Sequence, residues 1–168
     1  MGQRTMPAQR RGQSVQSVGT PAEFLDAVKR RLGIFAFGLD IAADKRNTVA
    51  KRFFTKADDC FAQASWKSTD RTGRPAWSWL NPEFDNIGPY AQRCLIEREI
   101  NAAQIALLVP SSTGANWWRE FVYRRAFILY LNGRIKFVGH EHAYPKDLAL
   151  VLYSPIIAPG DDCWRWQG

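Results

Sequence analysis

From Thr20 onward, amphipathic stretches alternate with short runs that are almost wholly apolar. Thr20-Pro21-Ala22-Glu23 has the form of a capping box with proline at the first helical position. Phe24, Leu25, Val28 and Leu32 follow at helical spacing and Gly33 suits a left-handed cap, so a helix is expected over 21–32. Residues 34–43 (IFAFGLDIAA) are nearly continuously apolar, interrupted by Gly38 and Asp40, as expected of a strand buried on both faces of a parallel sheet. A short helix over 44–52, a short strand at 53–55 and a polar, irregular stretch to Pro75 come next. Residues 76–80 (AWSWL) alternate as a strand. Residues 88–103, opened by Gly88-Pro89, carry Ala91, Leu95 and Ile100 on one side and predict an amphipathic helix. Residues 104–110 (QIALLVP) read as a second buried strand. Residues 115–126 read as a helix, with Trp118, Phe121, Val122 and Arg125 at i, i+3, i+4 and i+7. Three more strands are expected at 127–131, 134–138 and 148–153, the first two joined by the hairpin signal Asn132-Gly133. Strand and helix thus alternate up to a terminal hairpin. The pattern predicts an α/β domain over 20–155, with a mainly parallel sheet and an antiparallel edge hairpin. Residues 156–168 form a tail whose Trp164 and Trp166 are either exposed or folded back.

Composition narrows the class. With 46% hydrophobic and 23% charged residues in a chain of 168, a single packed core is within reach and wholesale disorder is excluded. Residues 1–19 are the exception: Gln, Ser, Gly and Arg with hardly an apolar anchor, Arg4, Arg10 and Arg11 without an acid, hence a disordered basic arm. The formal net charge of +7 favours a polyanionic or phosphate-bearing partner. No apolar run approaches the length that spans a bilayer, and the N-terminal segment lacks the apolar region of a secretory signal, so no membrane partner and a cytoplasmic location are expected. The three cysteines, Cys60, Cys94 and Cys163, are widely spaced and form no zinc or disulfide pattern. His140 and His142 are the only histidines. They could begin a metal site, but the Tyr-Pro turn behind them favours a solvated loop, and no metal is expected. A Ser-His-Asp or Cys-His mechanism has little to work with.

In an open α/β sheet a ligand sits beyond the carboxyl ends of the strands, which singles out Asp40, Asn81 to Phe84, and Pro110 to Asn116. Asp40 is either the N-terminal cap of the next segment or a ligand contact. Neither a Gly-x-Gly-x-x-Gly nor a Gly-Lys-Ser/Thr loop occurs, which weakens dinucleotide and nucleoside-triphosphate readings. Asn81-Pro82-Glu83-Phe84, directly after a strand, resembles the Asn/Asp-Pro-Pro-Tyr/Phe loop of methyltransferases that act on planar amino groups. Around it, in order, stand Thr20-Pro21, Leu39-Asp40-Ile41-Ala42-Ala43, Asn47, Phe54-Thr55 and Asp58-Asp59. Beyond it come Leu107-Leu108-Val109-Pro110, Asn116-Trp117-Trp118 and the segment Asn132 to Phe137. Together, over roughly Thr20 to Pro155, these blocks resemble the small phage-type DNA N6-adenine methyltransferase family.

The resemblance implies a Rossmann-like fold and transfer of a methyl group from S-adenosylmethionine to a flipped adenine of double-stranded DNA, in the host cytoplasm if the gene is carried by a phage. Adenine's exocyclic nitrogen is a poor nucleophile because its lone pair is delocalised, so acceptors for its hydrogens and accurate aim matter more than a covalent intermediate. Asn81 Oδ1 and the Pro82 carbonyl are the expected acceptors and Phe84 the stacking face. The resemblance places the donor by Thr20, Pro21 and Asp40, with Asp58 or Asp59 at its ribose or amino end. Two departures stand out. Glu83 occupies the position of the family's second proline, where it either brings a carboxylate to the reacting centre or points to solvent. The Leu39 to Ala43 block has no glycine loop.

DNA contacts are expected from Arg119, Arg124, Arg125, Arg134 and Lys136, with Arg71 and Arg74 in the polar loop; the alternative is an ordinary solvated helix and edge strand. With no separate recognition domain in view, target preference is expected from loops 56–75 and 139–147. Two other functions stay open: a catalytically weak descendant that binds DNA or donor without turnover, and methylation of RNA bases or of protein glutamine.

Overall fold

The structure, a computed structural model, describes residues 19–168, so the expected basic arm lies, up to residue 18, outside the described residues. Helix α1 (Ala22–Leu32) buries Phe24, Ala27 and Val28 and stops at Gly33 in the left-handed conformation, φ 67°. The capping box does not form. Pro21 is itself the N-cap, its carbonyl accepting from Phe24 and Leu25 at 3.1 Å, and no side chain caps the helix.

Seven strands complete the sheet: β1 (Leu39–Asp40), β2 (Ser68–Thr69), β3 (Pro75–Leu80), β4 (Gln104–Pro110), β5 (Phe127–Asn132), β6 (Leu148–Tyr153) and β7 (Gly160–Arg165). Their order is β1-β3-β4-β6-β5-β7, with β2 antiparallel to the start of β3. Five strands of the main path point one way. β6 alone runs against them, between β4 and β5. The fold is therefore mixed α/β, but the antiparallel element is interior and the expected edge hairpin is absent. Gly133, φ 114°, turns the chain away from the sheet, and β7 pairs in parallel with β5 along the edge that residues 134–138 were expected to take.

Three other expectations change. Of the apolar run 34–43, the strand is Leu39–Asp40, flanked by ladder bonds from Gly38 N–H to the Trp77 carbonyl and from Ile41 N–H to the Trp79 carbonyl. Residues 44–52 are turns hung on β1 rather than a helix. Helix α3 covers Asn116–Phe121, shorter than expected, and Arg124 lies at φ 59°, which no right-handed helix tolerates. Helix α2 (Gly88–Asn101) forms largely as its pattern predicts.

Side chains alternate across the sheet, and so does the core. Leu80, Ile105, Leu107, Val109, Val151 and Tyr153 face α2 and α3. Trp77, Trp79, Ala106, Leu108, Leu150 and Leu152 face α1. Each large aliphatic side chain among them removed from water contributes about 1.5–3 kcal/mol. These two layers fix where the strands end, and the cleft lies at those ends.

Candidate active site

Beyond the carboxyl ends of β1 and β3 lies a cleft of about 1560 Å³. Asp40 and Trp79 are register partners on neighbouring parallel strands, on the face covered by α1, and both line it. Two residues past Trp79 the same alternation brings Asn81 to that face. There its Nδ2 donates to the hydroxyl of Thr20 at 3.2 Å, across 61 positions of chain. The hydroxyl left unused by the helix cap thus fixes the amide, and leaves the carbonyl oxygen as its accepting end. Pro82 is buried, and Glu83 is half-buried on the cleft wall.

Phe84 lies between the two halves of the core, packed edge-on against Tyr144 at 5.4 Å and Phe137 at 6.1 Å between ring centroids. Tyr144 is held by its N–H bond to the Ile135 carbonyl at 2.8 Å. The opposite wall carries Cys60, Phe61 and Tyr90, with the Phe61 and Tyr90 rings 4.8 Å apart. Burial, reinforced by Cys60, Glu83, Asp59 and Asp85, pushes the Tyr90 hydroxyl up to about 12. Burial and Asp59 push the Cys60 thiol up to about 11, so it stays protonated and is no nucleophile at neutral pH. Behind this wall the Arg93 guanidinium meets Glu97 at 2.7 Å, donates to the Gln63 carbonyl at 2.9 Å and lies over the Trp66 ring. Burial of Glu97 works against its charge. Bonds from Asn101, Arg93, Trp66 and Ser65 outweigh it and hold the carboxyl below its usual range.

Asp40 is 3% exposed. Its Oδ2 accepts the Val49 N–H at 3.0 Å, whereas Oδ1 has no hydrogen-bond partner among the described residues. Burial pushes this carboxyl up to about 6, against the opposing N–H groups of Val49 and Ala42. A buried acceptor without a donor is costly, and a ligand bearing hydroxyl or ammonium hydrogens relieves that cost.

The remaining expected site residues are dispersed. Pro21 is buried at the α1 N-cap, beside Thr20 on the cleft wall. Asp59 lines the cleft and accepts the Phe61 N–H at 3.0 Å. Asp58 is exposed and accepts the N–H and hydroxyl of Thr55, both at 2.7 Å, as a local cap. Arg119 is exposed and pairs with Glu120 at 3.2 Å, and the backbone carbonyl of exposed Arg125 takes a bond from Arg98. Arg134 is engaged with the loop that carries Tyr144, donating to the Tyr144 and Pro145 carbonyls and approaching Asp147 at 3.5 Å. Lys136 is exposed next to Phe137. Arg71, Arg74 and Arg124 are exposed as well, and no residue of 110–116 lines the cleft among the described residues. Lining residues not foreseen include Lys45, Arg46, Trp79, Tyr90, Phe137 and Tyr144. Trp79 and Phe137 read in sequence as strand residues and Tyr144 as part of a turn, because burial and cleft-lining draw on the same residue types. His140 and His142 are exposed at the cleft, and no group of three potential metal ligands occurs among the described residues. No helix among them is long and apolar enough to cross a membrane.

A family model described as DNA N-6-adenine-methyltransferase (Dam) matches residues 12–150 of the chain. A protein of Escherichia phage T1 named DNA N-6-adenine-methyltransferase is 25% identical over 134 residues, which are 79% of this chain and 52% of that protein. The chain thus spans about half the length of the curated relative it matches. No solved structure matches at a significant level.

Proposed function

Since this chain belongs to the DNA N-6-adenine-methyltransferase family, we propose that its cleft methylates the N6 amino group of adenine in DNA. The sheet, with five of six strands in one direction, supports a Rossmann-like methyltransferase architecture. The observation that carries the reading is the Asn81 amide, clamped by Thr20 at the carboxyl end of β3 and followed by a buried proline and a half-exposed aromatic ring.

S-adenosylmethionine, when bound, supplies an electrophilic sulfonium methyl group. The chain's part is to seat the base and the donor. Asp40 Oδ1 offers an acceptor to the donor's hydroxyl or ammonium hydrogens, and Thr20, Trp79 and Asp59 line the same space. Asn81 Oδ1 and the Pro82 carbonyl accept the two amino hydrogens of an extruded adenine, which turns the nitrogen lone pair out of the ring plane. Phe84, supported by Tyr144 and Phe137, gives the base an apolar face. The surplus proton leaves to water, since neither acceptor is basic.

Purified protein with methyl-labelled donor and unmethylated duplex DNA is expected to label adenine, read by nucleoside analysis and by methylation-sensitive nucleases. Asn81→Ala is expected to slow transfer by about 10²–10³-fold, the usual cost of losing one oriented polar group in a reacting site, with the circular dichroism spectrum unchanged. Donor binding without label in any DNA overturns the reading.

A further inference from the structure

The cations of this chain are unevenly employed. Lys29, Arg31, Arg93, Arg119 and Arg134 form ion pairs with Asp26, Asp162, Glu97, Glu120 and Asp147, and Arg98 donates to the Ser154 and Arg125 carbonyls. Arg71, Arg74, Arg124, Arg125 and Lys136 form no ion pair among the described residues, and from these the stretch 45–56 is set apart by its density of cations and its place at the cleft. It holds Lys45, Arg46, Lys51, Arg52 and Lys56 without an acid among them. All five are exposed, and Lys45, Arg46 and Lys56 line the cleft. Lys45, Lys51 and Arg52 have no ion pair among the described residues, and Arg46, whose side chain is 95% exposed, reaches Asp44 at 3.9 Å.

The backbone that carries these cations is not a loose loop. Asp40 N–H donates to the Arg52 carbonyl at 2.9 Å, Phe54 N–H to the Asp40 carbonyl at 3.0 Å, and Ala43 N–H to the Phe54 carbonyl at 2.9 Å. Val49 N–H is bound to the Asp40 carboxylate, and Asn47 Oδ1 accepts the Asp44 N–H at 2.7 Å. The row is therefore fixed to the strand that ends in the cleft.

We infer that Lys45, Arg46, Lys51 and Arg52 form the phosphate-binding rail that holds the DNA strand on either side of the extruded nucleotide. The inference rests on the reading of the cleft as a DNA adenine methyltransferase site. A base turned into a pocket stays bonded through its sugar to two phosphates, so the nearest phosphates must lie at the mouth of that pocket. Cations there position the strand without reading its sequence. Lys45 and Arg46 border the cleft, and Lys51 and Arg52 continue the row on the same hydrogen-bonded segment, whereas the basic residues of α3 and of the 70–74 turn neither border the cleft nor belong to a segment that does.

The test is the salt dependence of duplex binding by the full chain, read by fluorescence anisotropy of a labelled unmethylated oligonucleotide. The variant is Lys45→Gln/Arg46→Gln/Lys51→Gln; Arg52 is left in place because its guanidinium lies over the Phe54 ring at 5.7 Å. Arg71→Gln/Arg74→Gln/Arg119→Gln removes the same charge elsewhere. Each neutralised phosphate contributes about 0.9 to the slope of log K against log salt. The first variant is expected to lose about 2–3 from the slope and the second less than 1, both with wild-type circular dichroism. Equal losses, or a larger loss in the second, overturn the rail and leave the methyl-transfer reading standing, since label transfer is measured separately. A wild-type chain that does not bind duplex overturns both. Tighter binding of a single-stranded RNA of the same length overturns DNA as the partner.

Discussion

On the proposed reading, two side chains, Asp40 and Thr20, govern the site, and each has a consequence that a single substitution exposes. Asp40 carries a carboxyl raised from 3.8 to about 6 by burial. Its folded form holds the proton more tightly than its unfolded form, so stability is highest below pH 4 as far as this group is concerned and falls as pH rises to 6. The loss amounts to about 3 kcal/mol. Asp40→Asn is expected to remove that part of the pH dependence, measured as the difference between the two proteins in denaturant unfolding at pH 4.5 and 7. A ligand that donates to Oδ1 prefers the ionised form, so binding of S-adenosylhomocysteine, followed by calorimetry, is expected to weaken below pH 6 in the wild type. Thr20 holds Asn81 through its hydroxyl. Thr20→Val is expected to lower kcat about tenfold, the worth of one hydrogen bond, with little change in KM for DNA, and Thr20→Ser to restore it. The place of the Asn-Pro-x-Phe loop at the cleft was legible in sequence, because the loop directly follows a strand and strand ends in an α/β sheet border the cleft. Thr20 read as a helix cap. Nothing local reveals that Pro21 begins the helix unaided and frees the hydroxyl for a residue 61 positions away.

At the level of elements, helices α1 and α2 and strands β3, β4 and β6 follow their hydrophobic periods closely. The failures share a cause: a local signal was overridden by what lay opposite in space. Asn132-Gly133 has the chemistry of a hairpin turn, but the Gly133 carbonyl accepts the Trp166 indole N–H at 2.9 Å and β7 holds the edge. The run 34–43 is apolar throughout most of its length, yet Phe35 is fully exposed and pairing is confined to the neighbourhood of Leu39 and Asp40, because length of an apolar run does not measure length of a strand. Gly38 marks where β1 comes close to its neighbours. A Cβ there would lie 2.8 Å from Ser68 Oγ and 2.9 Å from Ala76 Cβ. Gly38→Ala is expected to destabilise the protein by about 1–3 kcal/mol in urea unfolding, and to lower methyl transfer because β1 carries Asp40.

For the whole molecule, the alternation of strand and helix identified an α/β architecture from the sequence alone, since burying a sheet on both faces leaves few other arrangements. The interior reversed strand and the closing strand β7 were not visible, because β7, with Asp161, Asp162 and Cys163 exposed, has no hydrophobic alternation to announce it. Its anchor is aromatic. Trp166 packs edge-on against Phe24 of α1 at 5.1 Å, and Trp164 lies 6.1 Å from the same ring. Trp166→Ala is expected to cost about 3–5 kcal/mol, a fall of about 10 °C or more in Tm by calorimetry. Because α1 begins next to Thr20, this variant is also expected to lose activity before it loses its sheet.

The cleft has one side bolted and one side sprung. Arg93 and Glu97 tie the Phe61 side into the interior by a contact shielded from water, whereas Arg134 tethers the Tyr144 side through peptide carbonyls at the surface. On the proposed reading, a nucleotide entering the cleft is expected to gain its clearance on the Tyr144 side, whose tether is exposed, rather than on the Phe61 side.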